Sequence, residues 1–268
     1  MFENLFTSET TGIAIGLLIP VIGTTIGAAT VFLLRKGSSA LTQKLMLGFA
    51  AGVMLAAVIW SLMLPSIELS EKQGALPWLS PSIGFLIGIG FLLMIDTLTP
   101  HIHISSNEVE GLPSNLKKTA MLIFAITIHH IPEGMAIGVV LAGATAGNAI
   151  VTVSAAMTLS IGIAMQNIPE GAVVSVPLKS LGKSKMSSFL YGSATGLVQP
   201  ISALITILLI DKLPMNIFPA ILAFAAGAMM YVIVEEIIPE SQSGRHSNIA
   251  TIGLSIGFIL MMIMDYVL

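Results

Sequence analysis

Eight long apolar runs, one after another, constrain this chain more than any other feature. They fall at Thr11–Leu34, Lys44–Leu64, Leu79–Leu98, Thr119–Ala142, Ala149–Leu178, Ser188–Ile210, Pro219–Ile238 and Ile249–Leu268. A helix that crosses the hydrocarbon core of a bilayer needs about 20 mostly apolar residues, and each run approaches or exceeds that length. The runs are continuously apolar, not alternating, which predicts helices and not the strands of a membrane barrel. Charged residues make up only 9% of the 268 positions, against about 25% in a water-soluble domain. Such a chain cannot clothe a water-facing surface, so the expected solvent is lipid. The sequence predicts one all-α membrane domain over residues 1–268, with no further soluble domain.

Basic residues set the expected direction of threading. Arg35, Lys36, Lys44, Lys117, Lys118, Lys179, Lys183, Lys185 and Arg245 fall at the loops after spans 1, 3, 5 and 7, and only Lys72 and Lys212 fall on the other side. Basic loops stay in the cytoplasm, which predicts both termini outside and a multi-pass protein of the cell (inner) membrane. The acidic start Met1-Phe2-Glu3-Asn4 lacks the basic region of a cleaved signal peptide, so the first span is expected to be retained. A net charge of −3 argues against a nucleic-acid partner. With no cysteine, disulfides and thiolate metal sites are excluded.

Spans 4 and 5 carry an echoed motif. The first reads His129-His130-Ile131-Pro132-Glu133-Gly134 and the second Gln166-Asn167-Ile168-Pro169-Glu170-Gly171. The spans are consecutive and closely linked, so they run antiparallel, with both motifs near mid-membrane. That is the placement expected of an inverted-repeat transporter. His129 and Glu133 are four apart and share a helix face, as do Gln166 and Glu170. Each proline removes one helical hydrogen bond. Placing a charged side chain at the bilayer centre costs roughly 2.5–3.5 kcal/mol on insertion scales, and two adjacent carboxylates also repel. A divalent cation between them removes both penalties. Imidazole with carboxylate suits zinc, iron, manganese or cobalt better than calcium or magnesium. One such motif alone reads equally well as a kink bearing a protonated glutamate; two copies favour a metal site.

Other polar residues in the spans are less specific. Met54 and Ser61 lie seven apart on span 2, and Gln199 precedes Pro200 on span 6. Packing and an interhelical hydrogen bond, respectively, are their plain readings. Glu235 and Glu236 adjoin inside span 7, a costly arrangement that suits a cation pathway as well as a cap. Asp265 lies near the outer end of span 8, Asp96 near the inner end of span 3, and His101 and His103 follow it at a cytoplasmic mouth.

With both motifs in an eight-span chain, the sequence resembles the ZIP (ZRT/IRT-like) metal transporters, in particular their bacterial GufA-like branch. The resemblance implies a 3+2+3 inverted-repeat helical bundle with extracytoplasmic termini, and uptake of a divalent metal by an elevator-like alternation of access. It implies Met54, His129, Glu133, Gln166 and Glu170 as the principal metal ligands and Ser61 as an entrance residue. Glu235, Glu236, Asp265, Asp96, His101 and His103 become stations of the pathway and exit. His130, Asn167 and Gln199 stand where relatives with two adjacent metals have Asn, Asp and Glu, so one strongly occupied site and a weakened second one are expected. Zinc is the expected substrate, and cadmium, iron, manganese and cobalt suit the same donors. The resemblance also favours a homodimer, for which Gly84, Gly88 and Gly90 on span 3 offer a close-packing face as readily as for internal contacts. Two other functions compete. Buried carboxylates alone would serve a sodium/proton antiporter, which has no need of the His and Gln beside them. An intramembrane metalloprotease would want His-Glu-x-x-His, which does not occur.

Overall fold

The computed structural model describes residues 9–33, 39–102, 109–111, 118–145 and 150–268. Among them are eight long helices: α1 (Glu9–Leu33), α2 (Ala40–Lys72), α3 (Leu79–Leu98), α4 (Lys118–Thr145), α5 (Val153–Ser180), α6 (Lys185–Ile210), α7 (Met215–Gln242) and α8 (Ile249–Val267). Seven are long and apolar enough to cross a membrane. The eighth, α5, has the length but carries the polar motif of Gln166, Asn167 and Glu170, all buried by its neighbours. Between α3 and α4 a two-residue ladder pairs β1 (His101–Ile102) antiparallel with β2 (Val109–Glu110).

Two boundaries differ clearly from those expected. The second span, placed at Lys44–Leu64, is part of a 33-residue helix from Ala40 to Lys72. The seventh, placed at Pro219–Ile238, lies within Met215–Gln242. Hydropathy marks where lipid begins, whereas the helix runs on through polar turns. Glu68 and Lys72 pair at 3.1 Å on one such extension and add i,i+4 support. Lys44, expected to flank a loop, is buried inside α2 and donates from Nζ to the Arg245 carbonyl at 2.7 Å.

Polar contacts sort the helix ends into two sets. Lys44 meets the α7–α8 loop, and Lys185 at the start of α6 donates to the Phe32 carbonyl at the end of α1. At the opposite end, Gln73 beyond α2 donates to the Met215 carbonyl at the start of α7 (3.0 Å), and Ser154 in α5 donates to the Leu268 carbonyl. Successive helices therefore alternate in direction.

Glycine decides which helices lie closest. A Cβ at Gly23 of α1 would stand 2.1 Å from the Ala164 oxygen of α5, and one at Gly134 of α4 would stand 2.3 Å from the Gln199 oxygen of α6. Likewise a Cβ at Gly52 of α2 would stand 2.0 Å from the Leu254 oxygen of α8, and one at Gly88 of α3 would stand 2.1 Å from the Phe224 oxygen of α7. Only a residue without a side chain permits such approach, the usual basis of tight packing between membrane helices. These approaches pair α1 with α5, α4 with α6, α2 with α8 and α3 with α7, and further packing gathers the pairs into two groups. One holds α1, α4, α5 and α6; the other holds α2, α3, α7 and α8. Where glycines face the opposite group they meet flexible side chains instead: Gly143 faces the Phe218 ring, and Gly162 the Met261 thioether. Of the three α3 glycines, Gly84 and Gly88 are spent on α7, and only Gly90 faces open space.

The two groups also match internally. α1 packs on α5 as α6 packs on α4, and α2 packs on α8 as α7 packs on α3. α2 contains a π-helical segment at Val58–Met63, and α7 contains one at Ile233–Ile237. Each segment adds a residue to one turn and re-aims the side chains beyond it.

Gly52→Val forces a side chain into backbone that cannot yield, an overpacking cost of about 1–3 kcal/mol, while Gly90→Val points into open space. After heating in detergent, gel filtration is expected to show a much smaller monodisperse fraction for Gly52→Val than for the parent, and no loss for Gly90→Val.

Candidate metal centre

The two motifs meet where α4 and α5 cross inside the first group. Glu133, Gln166 and Asn167 are wholly buried, and Glu170 nearly so. α4 and α5 pass through Pro132 and Pro169 without a break in helical assignment. Ligating atoms of His130, Glu133 and Glu170 all lie within 4.8 Å of one another, close enough to share one cation.

Amides hold Glu133 from both sides. Gln166 Nε2 donates to its Oε1 at 2.8 Å, and Gln199 Nε2 donates to its Oε2. A carboxylate only accepts, so both amides must present their NH2 groups to it. Gln199 is locked further, because its Oε1 accepts from Asn167 Nδ2 at 2.9 Å, and that nitrogen also donates to the Pro20 carbonyl at 3.1 Å. Asn167 and Gln199, expected with His130 at a weakened second ion site, therefore form a hydrogen-bonded amide chain ending on Glu133.

Glu170 stands differently. Neither of its oxygens has a hydrogen-bond partner among the described residues, and the same holds for Gln166 Oε1, Asn167 Oδ1 and His130 Nε2. Each unpaired buried polar atom costs about 1–3 kcal/mol. All of the oxygens are acceptors on adjacent turns of α5, and the His130 nitrogen stands on the facing α4. Carboxylate and amide oxygens with an imidazole nitrogen are the donor set of a borderline-hard divalent ion such as zinc. One cation at this spot would meet several of these atoms at once.

The adjacent histidines diverge. His130 Nε2 lies 3.4 Å from Glu170 Oε2 within the cluster, whereas His129 Nε2 lies 3.6 Å from Glu236 Oε1 on α7, across the boundary between the groups. The α7 π segment buries Glu236 and leaves the neighbouring Glu235 exposed. Asp96, half-buried on α3, accepts from the Tyr231 hydroxyl at 2.9 Å. Met54 is fully buried in the main apolar cluster on α2, just before its π segment. That segment carries Ser61, whose hydroxyl donates to Asp265 Oδ1 at 2.8 Å, joining the expected entrance residue to an expected pathway acid. His101 forms the start of β1, and His103 lies outside the described residues. Thr195, whose carbonyl faces His130, escaped notice in the sequence. The Gln199-Pro200 pair was the available signal for it, because a proline in a span releases backbone carbonyls from the turn before it.

Comparison with known proteins agrees with this geometry. Residues 103–265 match the family model described as ZIP zinc transporter, which covers more than half of the chain and both motifs. Human zinc transporter ZIP11 is 32% identical, the match covering 90% of this chain and 93% of that protein. Zinc transporter ZIPB of Bordetella bronchiseptica is 35% identical over 90% of this chain and 76% of its own length. Zinc transporter GufA of Myxococcus xanthus is 34% identical over 77% and 79%. The chain is a multi-pass membrane protein of the ZIP zinc transporter family, and so a metal-ion transporter and not an enzyme.

Proposed function

We propose that this protein carries zinc into the cytoplasm across the cell membrane, through a site between α4 and α5, by sliding one helix group against the other. The observation that carries the reading is the cluster of buried, partnerless acceptors on Glu170, Gln166 and His130 beside Glu133. A sodium/proton antiporter needs carboxylates alone; the imidazole and amide oxygens converging on them favour a transition metal. Cadmium, iron, manganese and cobalt fit the same donors as competitors. The names of the relatives support zinc.

Packing supports the elevator-like movement. Backbone-to-backbone glycine contacts join helices within each group, and the glycines that face the other group meet side chains. Surfaces of the second kind can shift past one another by rotamer changes, which tightly interlocked backbones cannot. The matched helix pairs and paired π segments support a 3+2+3 inverted repeat. A cavity of about 660 Å³ separates the groups at the end bearing Lys44, Arg245 and the α5 residues Val173 and Pro177. Basic residues mark that end as cytoplasmic, which puts both termini outside and makes this arrangement inward-facing. Ser61 and Asp265 then lie toward the outside, and His129, Glu236 and Asp96 on the way in. With Gly84 and Gly88 committed to α7, a homodimer along α3 has to rely on Gly90 and the apolar side chains around it.

Proteoliposomes holding the purified protein are expected to take up zinc saturably, with Glu133→Ala and Glu170→Ala each abolishing the flux. Sodium or proton exchange without zinc uptake would instead establish the antiporter. Because the chain has no cysteine, the pair Leu47→Cys and Val173→Cys, which face one cavity from opposite groups, tests the sliding. A short thiol cross-linker should stop transport and a reductant should restore it. Glu170→Gln exchanges a buried carboxylate that no hydrogen bond satisfies for a neutral amide, so the metal-free protein is expected to melt several degrees higher. Its thermal stabilisation by added zinc should vanish, because that shift reports binding to the folded state.

A further inference from the structure

Lys44 carries a charge into the bundle and finds a neutral partner there. It lies near the start of α2 and is only 7% exposed. Its Nζ donates at 2.7 Å to the Arg245 carbonyl, in the loop that joins α7 to α8. Just before Arg245 that loop bends at Gly244, whose φ of +73° lies in the left-handed region that glycine favours. An ammonium has three donors. A carbonyl answers one of them and does not cancel the charge, and a buried charge is costly unless it is paired.

Lys44 also lines the cavity of about 660 Å³ that separates the two helix groups. Arg245 and His246 line it from the loop, and both are exposed. One acid, Glu240, shares the lining and has a contact of its own. The facing wall is apolar and comes from the other group, through Val173 and Pro177 of α5. A volume of this size is that of a small-ligand site. Ammonium and guanidinium groups on one wall suit a phosphate, whose oxygens accept charge-assisted hydrogen bonds from both.

We infer that this cavity is an anion site, in which a phosphate group is held by Lys44 and Arg245 with His246 beside them. The phosphate supplies the opposite charge that the Arg245 carbonyl cannot. Its source is either the headgroup of an anionic phospholipid, with the chains along the apolar wall, or free phosphate from solution. Because the walls belong to different helix groups, a ligand that fills the cavity favours this arrangement over one in which the groups have slid. The bound anion therefore acts as a brake on transport. That consequence rests on the transport reading above; the binding does not.

The test uses the full chain, free of metal, in nanodiscs of phosphatidylcholine, and reads thermal unfolding. In one arm inorganic phosphate is titrated in, against chloride at equal ionic strength. In the other the fraction of phosphatidylglycerol is raised. The unfolding temperature is expected to rise in at least one arm, because the ligand binds the folded state, and the arm that responds identifies the source. Arg245→Gln removes the guanidinium but keeps the carbonyl that ties the loop to Lys44. It should weaken the apparent affinity by at least about tenfold, the loss expected when a charged hydrogen-bond partner is removed. Lys44→Met should do the same where it folds. Lys183→Gln, at the same end of the bundle but outside the cavity lining, should leave the rise unchanged. No rise in either arm overturns the site, and so does a rise that Arg245→Gln and Lys183→Gln affect equally. Since no zinc is present, a failure of zinc flux in proteoliposomes would count against the transport reading alone.

Discussion

Two carboxylates buried side by side, with the His130 imidazole against them, are the constraint on which the rest of this structure depends. Glu133 and Glu170 belong to facing helices, and both are removed from solvent. Amides from Gln166 and Gln199 satisfy one of them, whereas the other has no hydrogen bond among the described residues and meets the His130 imidazole at 3.4 Å. Such an arrangement is costly in a protein interior and costlier in lipid. In the proposed site a divalent cation would pair with both acids at once, and the free energy withheld in the metal-free protein would then contribute to the affinity for the ion.

The surrounding helices keep that site buried while leaving it able to move. Short backbone approaches at glycine tie α4 to α6 and α5 to α1, and the Gln166–Glu133 and Asn167–Gln199 hydrogen bonds join the two pairs. The second group offers them a surface of side chains, with Phe218 and Met261 against glycines of the first. The π segments of α2 and α7 sit in the second group and carry Ser61 and Glu236, and each aims a polar group at a partner: Ser61 at Asp265, Glu236 at His129. Rigid ligand geometry and a compliant boundary are complementary requirements for moving an ion without unfolding its site.

Much of this was legible in the sequence. Eight apolar runs announced the helices, and the echoed Pro-Glu-Gly motifs announced their crossing, because period and composition report directly on what a helix buries. Helix ends were less legible: α2 continues to Lys72 because polar turns such as the one at Glu68 stay helical outside an apolar window. Neither π segment has a composition that sets it apart from α-helix. The roles of His129 and His130 were closed to sequence reading for a geometric reason. Positions three and four before Glu133 both neighbour it on a helix surface, and the groups that distinguish them, the Thr195 carbonyl beside His130 and Glu236 beside His129, lie far along the chain.

The most direct test of the buried-acceptor site is the coordination shell of zinc bound to the purified protein, read by X-ray absorption at the zinc edge. The account predicts a shell of nitrogen and oxygen donors near 2.0–2.2 Å, with outer-shell scattering from an imidazole, that is lost in the double substitution Glu133→Ala and Glu170→Ala. Zinc held without an imidazole contribution, or held equally well after both carboxylates are removed, would contradict it.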